Sequence, residues 1–177
     1  MEKKSVSVLC IVMFMAISAS CTKKESATNS QVEPVYVFDI DSFTYFDEFP
    51  ATIDGVKEKY KDVSFQERMT ETSDTGHLRS LGAYRFTLAS ENITFTFYGN
   101  TVENMELRFV DIFSPLYQCP SIQIIGMSST RVKDLIKPTT EFDDEKGLLR
   151  ITSKDWDTIV INIENDVVVN YSVNKAL

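Results

Sequence analysis

Histidine is nearly missing from this chain of 177 residues, which has one, His77. Histidine-paired metal sites and most nucleophile–base pairs would rest on that single side chain, in the polar stretch Asp74-Thr75-Gly76-His77. Cysteine is scarce as well: Cys10, Cys21 and Cys119 are the three present. Cys10 and Cys21 belong to the N-terminal stretch, which leaves Cys119 alone in the fold and excludes an intramolecular disulfide there. No His or Lys stands beside Cys119 to lower its pKa, so burial is its expected state. Basic residues are in deficit, with Lys+Arg 18 against Asp+Glu 26 and a net charge of -8. The chain lacks the basic footprint of nucleic-acid binding, and no nucleic-acid partner is expected. Neither a Gly-rich phosphate loop nor a Gly-x-Ser-x-Gly elbow is present. The acidic groups Asp39/Asp41/Asp47/Glu48 and Asp143/Asp144/Glu145 lack the spacing of a calcium loop and read as solvated turns. Asp155 and Asp157 flank the single tryptophan, Trp156, in a strand-entry turn. No enzymatic activity, no cofactor and no metal are expected.

What is present is most distinctive at the N-terminus. Lys3 and Lys4 precede an apolar run of about 14 residues from Val6 to Ala19, and the small residues Ser18, Ala19 and Ser20 lead to Cys21. This is the layout of a secretory signal peptide. The run is shorter than the roughly 20 apolar residues of a spanning helix. Residues 22–34 are polar and read as a flexible tether. Loss of residues 1–20, with Glu2, Lys3 and Lys4, takes the net charge from -8 to about -9.

Hydrophobic residues make up 43% of the chain and aromatics 11%, enough for a packed core over residues 35–177. Residues 35–40 and 43–49 read as strand. Residues 50–60 read as a short helix with Thr52 or Asp54 as N-cap and with Ile53, Val56 and Tyr60 on one face. Residues 66–82 are polar and read as a loop. From Tyr84 the period is two: residues 84–88, 93–98 and 102–113 predict an antiparallel meander turned at Gly99-Asn100. A similar order follows. A strand is expected at residues 121–125, a helix capped by Ser128 or Ser129 and ended by Pro138, a turn at residues 143–147, then strands at residues 148–152, 158–163 and 167–173. Val56 matches Val132, and Phe95, Phe97, Gly99 and Leu107 match Ile161, Ile163, Asn165 and Val173. Two tandem units, at about residues 35–113 and 119–177, are expected to share one core.

Two resemblances add to this. Ser18-Ala19-Ser20-Cys21 resembles a bacterial lipobox, which implies thioether lipidation of Cys21 and a membrane anchor. Gly126-Met127-Ser128-Ser129-Thr130-Arg131-Val132, running to Pro138, resembles the opening of BamE/SmpA-type lipoprotein domains, with Lys137 in place of their glycine. Two such units in tandem resemble the β-lactamase inhibitor protein architecture. The expected fold class is therefore α+β, with two tandem helix-plus-antiparallel-meander units. The implied function is that of a non-enzymatic protein-interaction module of the cell envelope, anchored through Cys21, at the outer membrane, with another envelope protein as partner. A small-ligand or lipid-binding envelope lipoprotein is the alternative.

Period two also names a candidate interaction face. If Phe86, Leu88, Phe95, Phe97, Met105 and Leu107 face the core, then Arg85, Thr87, Thr94, Thr96, Tyr98, Glu106 and Arg108 face away from it. Tyr and Arg are frequent anchors at protein interfaces. Val160, Asn162, Val168, Asn170 and Ser172 are the corresponding outward positions of the second meander.

Overall fold

Alternating strands dominate the computed structural model, which describes residues 36–39, 45–72, 81–155 and 157–176. The expected leader, Cys21, the tether and His77 lie outside the described residues. The strands are β1 (Gln66–Glu71), β2 (Tyr84–Ala89), β3 (Ile93–Gly99), β4 (Glu106–Ile112), β5 (Phe142–Glu145), β6 (Leu148–Thr152), β7 (Thr158–Glu164) and β8 (Val167–Asn174). They form one sheet in the order β1-β2-β3-β4-β8-β7-β6-β5, antiparallel throughout. The centre of the sheet is the β4–β8 seam, where Val110 pairs with Val173 and Ile112 with Tyr171. Ser172 Oγ donates to Asp111 Oδ1 across the same seam at 2.5 Å. Left-handed turn residues close two of the hairpins: Lys146 and Gly147 at φ 46° and 84°, and Asn165 and Asp166 at φ 51° and 66°.

Two short helices lie on one side of the sheet. Thr52 caps α1 (Ile53–Lys59) by accepting from Gly55 N–H at 3.1 Å. Ser128 caps α2 (Ser129–Asp134) by accepting from Arg131 N–H at 3.3 Å. Helices this short are held by packing rather than by propensity. Each buries one valine, Val56 or Val132, against the sheet's inner face, and burial of such a side chain contributes about 1.5–3 kcal/mol. Leu88, Phe95, Val110, Ile151, Ile161 and Tyr171 supply that inner face, and Phe38, Phe46, Ile122 and Ile136 complete the core from the connecting segments.

The expected fold class is corrected by this architecture. The described residues form one continuous eight-stranded antiparallel sheet with two short α-helices, not the two-unit helix-plus-meander α+β fold of the BamE or β-lactamase-inhibitor type. In the segments expected to be strands ahead of the helices, Phe38 makes only an isolated bridge to Ile136. Tyr45–Glu48 is a 3-10 turn, and residues 121–125 are irregular. Their apolar side chains are buried without strand partners, because burial fixes where a side chain points and not what its backbone pairs with. Conversely, the expected loop after Phe65 opens with β1, and the expected turn at residues 143–147 opens with β5. Both are edge strands whose side chains are almost entirely exposed, so hydrophobic alternation could not reveal them. Finally, Phe97 pairs with Leu107 and Ile163 with Val168. Val168, not Val173, is the counterpart of Leu107.

Candidate interaction face

The sheet's outer face carries neither helix among the described residues. Cross-strand register sets its middle: Thr94, Asp111, Ser172 and Val160 are consecutive neighbours across β3, β4, β8 and β7. One level along, Thr87, Thr96, Phe109, Asn174 and Thr158 do the same across β2, β3, β4, β8 and β7. Residues directly opposite one another in antiparallel strands share a face. The centre is therefore mostly small, β-branched or amide side chains, with one ring, Phe109, and one carboxylate, Asp111, which is bonded to Ser172.

Arg85, Thr87, Thr94 and Thr96 sit on this face, each half-buried by its neighbours. Tyr98 shares their parity on β3 and stays outside the main core cluster, yet it is only 4% exposed. Its ring packs edge-on against Phe109, with centroids 5.8 Å apart. Strict alternation along β4 places Phe109 inward, but the register shifts between Thr96 and Phe97. The extra residue, Arg108, lets Phe109 face Thr96 on the outside. A matching shift between Asn162 and Ile163 turns Val168 into the core, where it is 1% exposed, rather than outward as expected. No sequence signal marks either bulge, since both strands remain apolar–polar mixtures around it.

Arg108, expected on the outward candidate face, is held by groups of its own chain. Its Nη1 donates to Ala176 O and its Nη2 to Glu106 Oε2, each at 2.7 Å, and its side chain is 15% exposed. Arg108 Nε is buried without a hydrogen-bond partner. The C-terminal stretch is drawn alongside β4, with Lys175 N–H donating to Arg108 O at 2.9 Å. Arg108 thus fixes the chain end to the sheet. Cys21, the candidate lipid site, lies outside the described residues.

The polar chemistry on the other side is structural in its geometry. Cys119 is fully buried; its Sγ donates to Glu48 Oε2 at 2.9 Å. Ser121 Oγ donates to the other oxygen of Glu48. Burial pushes the Cys119 thiol up to about 12, and its hydrogen bond to Glu48 adds to the effect. Partial burial pushes the Glu48 carboxyl upward, but the hydrogen bonds from Cys119 and Ser121 outweigh it and hold the group below its ordinary value. Tyr171 OH donates to Ile122 O and accepts from Cys119 N–H, both at 2.9 Å. A thiol kept protonated in this way is a packing group and not a nucleophile.

The acidic groups resolve into separate pairs. Asp39 binds Lys137 at 2.7 Å, Asp144 pairs with Lys133, and Asp157 Oδ1 accepts from Ala176 N–H at 2.8 Å. Ser153 Oγ accepts from the Asp155 and Asp157 N–H groups, which makes their segment a turn. Surface clefts are open and shallow. One of about 600 Å³ is lined by polar residues including Asp62, Gln66, Ser90 and Asn92. A more apolar one of about 420 Å³ lies between Ile53, Met69, Phe86 and Val102.

By fold and site, then, the described residues form an antiparallel sheet with one face covered by the helices and connecting segments and the other bare of both. Compared with protein-family models, with curated proteins and with solved structures, it matches none.

Proposed function

We propose that the protein is an exported bacterial lipoprotein, anchored through Cys21 at the outer membrane, whose folded part docks another envelope protein without catalysing a reaction. The bare sheet face carries this reading. A surface of stiff, half-buried Thr side chains, with the ring of Phe109 among them, loses little side-chain entropy on being covered. The leader pattern and polar tether support the anchoring half of the proposal: an anchored module meets partners confined to the same envelope, so modest affinity suffices.

The test is the size of the native assembly. In gently solubilised envelope the protein should run in a complex larger than the monomer. Thr94→Trp, which places a bulky ring in the middle of the face, should return it to monomer mass with an unchanged melting temperature. A wild-type protein that is monomeric in every extract would overturn the reading.

A further inference from the structure

We propose that the part of the sheet face over β1–β4 docks an acidic polypeptide surface, recognising its carboxylates through Arg68 and Arg85. This inference rests on the docking reading above and specifies the partner's chemistry. Arg68 lies opposite Thr87 and Arg85 opposite Thr70, so the two arginines sit diagonally on neighbouring strands of the outer face, about 7–8 Å apart at the backbone. Neither forms an ion pair among the described residues.

The distribution of acids is what makes this corner informative. The chain has 26 Asp and Glu, yet among the described residues the strands β1–β4 place two of them on this face, Glu106, bound to Arg108, and Asp111, which accepts from Ser172 Oγ at the seam. Along β1, Glu67 has the opposite parity to Arg68; it turns to the helical side and pairs with Lys57 at 2.7 Å. Glu71 has the same parity as Glu67. A protein of net charge -8 thus keeps two unpaired guanidiniums side by side on an open face. Like charges so placed repel, and an incoming anion relieves that repulsion.

Arginine's planar fork suits carboxylates, and the half-buried ring of Phe109, backed by Tyr98, offers an apolar contact to the same partner. A polyphosphate is a poorer fit. The strongly acidic remainder of the protein would repel a dense anion more than two arginines could offset, whereas two arginines accommodate the few carboxylates of a protein surface.

The experiment uses the full-length protein in detergent micelles and a fluorescent peptide of alternating Glu and Thr, followed by anisotropy. Its Gln–Thr counterpart and a short DNA duplex serve as comparisons. The Glu peptide should bind more tightly than both, and its affinity should fall as salt is raised. Arg68→Glu with Arg85→Glu should weaken it by about tenfold or more. Arg150→Glu, on the same face across the sheet at β6, should leave it unchanged. Equal binding of the Gln peptide, tighter binding of DNA, or an unaffected double variant would each overturn the proposal. If the double variant still forms the native complex that Thr94→Trp abolishes, the acidic partner is wrong and the docking face stands. If wild-type protein forms no complex at all, the broader reading fails first.

Discussion

Tyr171 shows how much of the fold hangs on single polar atoms. Its hydroxyl satisfies both Cys119 N–H and Ile122 O deep in the core. Tyr171→Phe strands these two backbone groups in an apolar setting, and urea denaturation should show a loss of about 1–3 kcal/mol. Glu48 predicts an acid limb. Its folded pKa lies below its ordinary 4.5, so its contribution is present above pH 4.5 and is lost as pH falls through the folded value. Glu48→Gln should flatten that limb of the stability curve. For Cys119 the sign is opposite. Its folded pKa, raised from 9.0 to about 12, favours the folded state below pH 9 and ceases to do so as pH climbs toward 12. Alkylation of Cys119, followed by peptide mass, should be slow in native protein and fast in urea; rapid native labelling would mean that the thiol is not held as described. Burial of Cys119 was legible from its apolar character and its flanks. The role of Glu48 was not, because its partners are 71 and 73 residues away.

Among the elements, those with one buried face were legible and those without were not. Strands β2, β3, β6 and β7 alternate, and both helix caps could be narrowed to two residues. β1 and β5 were missed, since an edge strand formed by pairing alone leaves no apolar period. Amide hydrogen exchange should rank them accordingly: β4 and β8 in the seam last to open, β1 and β5 first. Bulges were equally hidden, and they decide which side Phe109 and Val168 occupy. Gly99 marks another tight place. A Cβ there would lie 2.5 Å from Asn104 O, so Gly99→Ala should lower stability by about 1–3 kcal/mol, read from thermal or urea unfolding. A neutral result would mean that the segment after β3 moves freely.

For the molecule as a whole, composition set the limits and long-range pairing supplied the rest. An acidic, single-histidine chain pointed away from nucleic-acid binding and histidine chemistry, but nothing in it announced that the two sets of strands would join at β4 and β8 into one sheet. That seam gives the outer face its breadth. Anchoring is testable apart from the fold: wild-type protein should partition into detergent, and Cys21→Ala should leave it unprocessed or in the aqueous phase. Intact mass showing an unmodified Cys21 on a mature terminus would contradict lipidation. The docking face itself is best tested in living cells with a photo-crosslinking amino acid, placed at Thr94 or Thr96 on the bare side and at Glu58 or Arg131 on the helical side. Adducts of one defined mass should form from Thr94 and Thr96 and not from Glu58 or Arg131. Adducts confined to Glu58 or Arg131, or absent from all four positions, would contradict a protein-docking role for the sheet.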